Sequence, residues 1–442
     1  MIVIQILTII SLVVSVIKRI IYRFLYKTSS FFKPVLVRLV PSTIRRYAKE
    51  KLLATAEPLN KSTFKIHNNG ALKGVNLLGY ARAEMGVGES CRLAANSLNA
   101  ANIPFGVLNF TGTSSSRMAD TTWMHKEVSE PIFDVNVFHI NAEQMPEINV
   151  LYGNKLFEGK YNIGYWHWEL SEFPDEWLNS FRYVDEIWVP STFVGDAIAL
   201  KSPVPVVKIP HSIEVRIKEN RDRSYFELPE SAFLFLTMYD VKSSQERKNP
   251  RASIIAFKLA FEPNNLKVGL VVKINRYKSN DNDLILLKEL IGEYQNIYLL
   301  DETISRNDVN ALISITDCFI SLHRSEGFGL GFAEAMYLGK PVIGTNWSSN
   351  VDFMNDKNAC LVDYELVQLG QDYGPYKSDQ HWAEPDVLHA AEYMKKLVND
   401  QQYYERIAAG GERYIKEFHS PVVIGKLIQK RLDYIYNWQF GG

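Results

Sequence analysis

Residues 317–345 constrain the fold more tightly than any other stretch of the chain. Asp317-Cys318-Phe319-Ile320-Ser321-Leu322-His323 reads as a short buried strand, and Leu330 to Leu338 as a helix. Between them runs Ser325-Glu326-Gly327-Phe328-Gly329. Its glycines let the backbone turn sharply and leave amide N–H groups uncovered at the helix start. Free donors and the helix dipole can hold an anionic phosphate there. Gly339 closes the helix, and Pro341 opens Pro341-Val342-Ile343-Gly344-Thr345 as the next strand. Strand, loop, helix and strand predict a ligand crevice at the carboxyl end of a parallel sheet. Two carboxylates belong to it: Glu326 in the loop and Glu334 on the helix.

The rest of the chain repeats this alternation. Candidate strands Gly74–Tyr80, Phe105–Phe110, Val135–Ile140, Tyr161–Trp166, Glu186–Val189 and Val206–Ile209 form a first series, with a helix over Ser90–Ala100. After the charged stretch Lys218–Arg223 comes a second. It has strands over Phe233–Tyr239, Lys267–Ile274 and Ile297–Leu300, and helices over Pro250–Phe261, Asp283–Tyr294 and Asn307–Thr316. Strands alternating with helices imply βαβ units and parallel sheets. At 442 residues the chain exceeds one ordinary core. The expectation is two doubly wound, Rossmann-like domains facing across a cleft, over residues 70–215 and 228–418, with a final segment 419–442.

Composition is globular, with 46% hydrophobic and 22% charged residues. Cys91, Cys318 and Cys360 are too widely spaced for a disulfide framework or a zinc cluster, which suits a reducing compartment. The net charge of −1 hides a split: residues 1–51 carry +9, from ten Lys/Arg and Glu50, and the remainder −10. That asymmetry argues against a nucleic-acid enzyme and for a basic amino-terminal arm. The arm opens with Met1–Ile17, apolar apart from Gln5, Thr8, Ser11 and Ser15, and continues with Lys18, Arg19, Arg23 and Lys27 among Ile20, Ile21, Tyr22, Phe24 and Leu25. Its charge follows the apolar run and no small-residue cleavage site appears, unlike a signal peptide. Residues 1–60 therefore read as a membrane-associating arm and linker. It is either a short span or a helix lying in the interface, with the folded part on the cytoplasmic side.

Four groups of residues could carry chemistry. Glu326 could accept hydrogen bonds from sugar hydroxyls, and Glu334 is placed to reach a ribose, although a carboxylate early in a helix can also be only solvated. Arg247 and Lys248 follow a strand and precede a helix, where they suit a diphosphate as fork and point charge; alone, such a pair is commonly a solvated loop. Gly86-Val87-Gly88-Glu89 again joins strand to helix, but lacks the G-x-G-x-x-G spacing and the phosphate lysine. Gly164-Tyr165-Trp166-His167-Trp168-Glu169 suits either a sugar-stacking wall or a buried packing corner. His139 and Glu143 are further candidates at a strand end. There is no H-E-x-x-H, G-x-S-x-G or paired D-x-D.

Ser325 through Met336, Gly339 through Thr345 and Ser348-Ser349-Asn350-Val351-Asp352-Phe353-Met354 closely resemble the E-x7-E segment of retaining family 4 (group 1) glycosyltransferases of the GT-B fold. Phe233–Tyr239 with Arg247-Lys248-Asn249-Pro250 looks like the donor-phosphate segment of that family. Gly86–Glu89 and Trp166–Glu169 look like its first-domain cleft loops. The likeness spans residues 72–420, most specifically 317–354. It implies that Glu326 contacts the transferred sugar, with Gly327, Phe328, Gly329 and Leu330 near sugar and diphosphate. Glu334 would bind the ribose, Arg247 and Lys248 would neutralise the leaving diphosphate, and Gly88 would approach it from the other domain. His167 matches the cleft histidine of the family only loosely, since tryptophans replace its usual surroundings. The last helix of the family often crosses back onto the first domain, which Ser420–Trp438 could do.

The resulting expectation is a retaining, metal-independent hexosyltransferase without a cofactor. It would move sugar from a nucleotide-sugar donor to a saccharide or lipid-linked acceptor at the cytoplasmic face of a membrane, in cell-surface polysaccharide or glycolipid synthesis. A sugar-nucleotide epimerase and an inactive saccharide-binding protein are the competing readings.

Overall fold

The computed structural model describes residues 72–112, 116–241, 243–275 and 282–440, with scattered positions between 14 and 53. Two six-stranded sheets organise the chain. The first contains β1 (Val75–Gly79), β2 (Phe105–Asn109), β3 (Val135–His139), β4 (Tyr161–Tyr165), β5 (Glu186–Val189) and β6 (Val206–Lys208) in the order 2-1-3-4-5-6. The second contains β7 (Phe233–Asp240), β8 (Val268–Asn275), β9 (Ile297–Leu300), β10 (Cys318–Ser321), β11 (Val342–Thr345) and β12 (Cys360–Val362) in the order 12-11-10-7-8-9. Every pairing within these two sheets is parallel.

The strands are near-continuous apolar runs because helices cover both faces of each sheet. Leu78, Phe138 and Ile187 belong to the core on one side of the first sheet, and Val75, Leu77 and Val137 to the core on the other. The second sheet divides likewise: Phe235, Leu270 and Ile320 face one way, and Leu236, Val271 and Phe319 the other.

Strand order fixes where a ligand can sit. In the first sheet the connection turns back between β1 and β3, and in the second between β7 and β10. At such switch points adjacent loops part at the carboxyl strand ends and open a crevice. The loops involved are those after Gly79, His139, Asp240 and Ser321, and they contain most of the residues singled out above.

Two further elements tie the halves together. The helix Pro421–Gln439 packs on the helix Gly86–Ala100, placing Ile424, Ile428, Leu432 and Ile435 in the core beside Val75 and Leu98. Arg431 on that helix forks onto Glu186, which also accepts from Trp188 Nε1 at 2.6 Å and Tyr161 OH at 3.1 Å. A hairpin, β13 (Tyr364–Gln368) with β14 (His381–Pro385), sends its connecting segment onto the first domain, where Leu369, Tyr376 and Trp382 join the core around Trp168. The helices Val387–Asn399 and Gln401–Phe418 complete the second domain. The sequence reading placed none of β12, the hairpin or these two helices.

Most of the amino-terminal arm, including residues 1–13 and the linker around Pro58, lies outside the described residues. Among its described positions, Leu53 packs on Val150 and the Lys49 ammonium lies 3.5 Å from Glu147. Ile20, Ile21, Phe24 and Leu25 are exposed. Among the described residues no helix is long and apolar enough to cross a membrane.

Candidate active site

The loop after β10 is shaped by the residues at its ends. Gly329 takes φ = 95°, a left-handed conformation that favours glycine, and starts the helix Leu330–Tyr337. The Glu326 amide donates to Ser348 Oγ at 2.9 Å, holding the loop against the segment after β11. The facing loop after β7 closes as one helical turn, Gln245–Lys248, whose Arg247 N–H is capped by Ser244 Oγ. Two hydrogen bonds lock the loops together: Arg324 N to Arg247 O at 2.8 Å, and Arg247 Nη1 to Ser325 O at 2.7 Å.

This docking brings the charges into register. Lys248 Nζ donates directly to Glu326, and Arg247 Nη1 lies 3.4 Å from its other oxygen. Burial opposes ionisation of Glu326, but Lys248 and then Arg247 outweigh it and hold the carboxyl at about 2. Arg247 is itself buried. Desolvation disfavours its charge, and Tyr376, Glu169 and Glu326 together raise it above its ordinary value. Glu169 comes from the first domain, 3.8 Å from Arg247, and accepts from Tyr376 OH at 3.1 Å. Both domains and the hairpin thus meet at one guanidinium.

Glu334 lies on the same cleft, paired with Arg306 at the start of the helix Arg306–Ile315. Arg306 also reaches to 3.7 Å of Glu89, on the first-domain helix Gly86–Ala100. Burial raises the Glu334 carboxyl and Arg306 only partly offsets it. Gly327, Phe328, Gly329 and Leu330 line the cleft beside both glutamates, and its volume is about 490 Å³. That size accommodates a small-molecule ligand well.

The first-domain wall differs from the sequence expectation at one glycine. Gly88 is not on the wall. A Cβ there would meet the Ala83 carbonyl oxygen at 2.2 Å and that of Tyr80 at 2.8 Å, so the glycine lets the helix start fold tightly over its own loop. Gly86 and Val87 face the cleft instead. Trp166 and Trp168 are wholly buried and stack among Phe173, Trp177 and Phe181, which makes the aromatic stretch a packing corner.

His167 does line the cleft, and a buried chain of hydrogen bonds sets its proton. Tyr165 OH donates to Ile209 O at 2.7 Å, so at 3.2 Å it can only accept from His211 Nδ1. Burial lowers both His211 and His167, the latter to about 4, leaving them neutral. His211 Nε2 is then a bare acceptor and takes the proton of His167 Nε2 at 3.0 Å. His167 Nδ1 is left as a lone pair without a partner among the described residues. His139 is buried behind this chain, bonded to Ser90 Oγ at 3.1 Å. Glu143 does not line the cleft.

Among the described residues no group of three or more His, Cys, Asp or Glu side chains could hold a metal ion. The cations Arg247 and Lys248 and the start of the helix Leu330–Tyr337 provide positive potential in the cleft.

Comparison with known proteins matches the geometry. Residues 239–368, which carry both loops of the second-domain switch point, match the family described as Glycosyl transferases group 1. No curated protein matches the sequence. Sucrose-phosphate synthase from Thermosynechococcus elongatus aligns with a TM-score of 0.62 at 12% identity, over 83% of this chain and 99% of its own. HepE from Anabaena, in complex with UDP and glucose, aligns at 0.58 and 12%, over 82% and 100%. A glycosyltransferase from Rickettsia africae aligns at 0.59 and 11%, over 82% and 98%. The fold is GT-B, and the chain is a glycosyltransferase with a group 1 domain.

Proposed function

We propose that this enzyme is a retaining, family 4 type glycosyltransferase that moves a sugar from a nucleotide-sugar donor to a saccharide or lipid-linked acceptor. One observation carries the reading: Arg247, Lys248 and Glu326 converge at the start of the helix Leu330–Tyr337, where a donor diphosphate and its sugar can lie side by side. HepE, whose fold this chain shares, holds UDP and glucose, which supports a nucleotide sugar as donor class.

The chemistry follows from the charges. A carboxyl held at about 2 is ionised at neutral pH, so Glu326 cannot serve as the general acid. It accepts hydrogen bonds from sugar hydroxyls and orients Lys248. As the glycosidic bond breaks, negative charge gathers on the departing diphosphate while the sugar becomes cationic. Arg247, Lys248 and the helix amides stabilise that charge without reorganising, and this needs no metal ion. Glu334 holds the ribose, sharing it with Arg306. Attack by the acceptor on the face that the diphosphate leaves retains configuration.

The exposed apolar residues and basic charge of the arm support association with the cytoplasmic face of a membrane and an acceptor presented there, as in cell-surface polysaccharide or glycolipid synthesis.

A panel of nucleotide sugars tests the reading by thermal shift and by donor consumption with and without saccharide acceptors. A true donor raises the midpoint by mass action and is consumed efficiently only with acceptor. An epimerised nucleotide sugar formed without acceptor would favour an epimerase. Saccharide binding with no donor response would favour a binding protein.

A further inference from the structure

We infer that Lys273 is a third cation of the donor site and that it takes the diphosphate of the nucleotide. The inference rests on the donor reading above and adds a residue to it.

Lys273 interrupts the apolar run Val268-Gly269-Leu270-Val271-Val272 on β8. It pairs with Met238 on β7, the strand at the switch point, and β7 in turn pairs with β10. Lys273, Met238 and Ser321 all line the cleft that holds Glu326, Arg247 and Lys248. At strand spacings of about 4.8 Å, a lysine stem can cross Met238 toward the helix that begins at Leu330.

The side chain is only 6% exposed. Among the described residues its ammonium makes no hydrogen bond or ion pair, and it is not one of the wholly enclosed polar atoms, so it opens to the cleft. Asp240, the carboxylate that acts on it electrostatically, also accepts from Asn275 at 2.8 Å. Burial pulls the ammonium down to about 8 and Asp240 pulls weakly the other way. A largely buried lysine without an ion pair is costly, and leucine or methionine would fill the same place on an apolar strand without that cost. Its place on a cleft floor therefore calls for an anion from the ligand.

Charge balance identifies the anion. Glu326 and Glu169 lie against Arg247 and Lys248 and offset their charge, so the pair alone does not balance a bridging diphosphate that carries about two negative charges. Lys273 adds a positive charge from the same domain.

The experiment is titration calorimetry of UDP, GDP, ADP and CDP, with the matching nucleosides, into the native protein, Lys273→Met and Lys273→Arg. For the nucleoside diphosphate that the native protein binds, Lys273→Met should raise Kd at least about tenfold and Lys273→Arg by much less. Nucleoside affinity should not change, and the thermal midpoint of Lys273→Met should be no lower than native, because an unpaired buried charge is removed. Equal diphosphate affinity in native and Lys273→Met overturns the inference and leaves the donor reading standing. A lowered midpoint with equal losses for nucleoside and diphosphate makes Lys273 structural and also overturns it. If the native protein binds none of the four diphosphates, the donor reading itself fails.

Discussion

Lys248 donates a hydrogen bond to Glu326 across 78 residues of sequence, joining the loop after β7 to the loop after β10. The contact explains why neither residue is a free surface charge. The strand order 10-7 places their loops side by side, and Arg247 fastens them by its bond to Ser325 O. The pair settles the protonation of the glutamate and leaves the lysine beside the start of a helix.

Glu334 should make the site discriminate ribose from its deoxy analogues. The native enzyme is expected to bind its nucleoside diphosphate about tenfold more tightly than the 2′,3′-dideoxy form, one charge-assisted hydrogen bond being worth roughly 1.5–3 kcal/mol. In Glu334→Gln the ratio should shrink toward one, as read by calorimetry. An unchanged ratio would assign Glu334 to holding Arg306 alone.

Stability should fall in acid in two stages. His139, His167 and His211 are buried and held below 6.5, His167 at about 4, whereas the unfolded chain titrates near 6.5. Below pH 6.5 the unfolded state therefore binds more protons, and stability drops by about 1.4 kcal/mol per pH unit for each such histidine. Glu326 acts in a lower window. Its contribution is complete above 4.5 and is lost as pH falls toward about 2. Urea midpoints between pH 7 and 5 should slope downward, and a flat profile would contradict the buried neutral chain.

Glu186 should depend strongly on the last helix. It is fully buried and ion-paired with Arg431. Arg431→Met strands that carboxylate and should cost about 3–5 kcal/mol, whereas Arg431→Met with Glu186→Gln should recover much of the loss. Urea denaturation of the two variants and the native protein checks this. Equal destabilisation of both variants would show that packing of the helix, not the charge, is at issue.

Deleting residues 1–51 should release the protein from anionic vesicles in a flotation assay and reduce transfer to lipid-linked acceptors more than to soluble ones, because the arm carries +9. Undiminished vesicle binding would remove the arm from the account.

Much of this arrangement is legible in the sequence because it is local. A buried strand, a glycine loop and a helix start lie within residues 317–338, so periodicity and turn chemistry locate Glu326 and Glu334 at a crevice. Arg247 and Lys248 are visible for the same reason, at the end of an apolar strand. The partners that arrive from elsewhere are not. Arg306 resembles any arginine at a helix start, and only the fold sets it between Glu334 and Glu89. Tyr376 sits on a hairpin excursion whose polar sequence carries no period, yet it reaches Glu169 in the other domain. Gly88 reads like a phosphate-facing glycine, and what it serves is the close approach of Ala83 O. Lys273 did leave a signal, a lone charge inside an apolar strand, which burial rules mark as unusual.

The most direct measurement of the central claim is the transfer rate of Glu326→Ala, with the donor found in the nucleotide-sugar panel, alongside its affinity for the free nucleoside diphosphate. Transfer should fall at least about 100-fold. Diphosphate binding should be kept, because Arg247 and Lys248 remain. Transfer at the native rate in a folded Glu326→Ala protein would contradict the account.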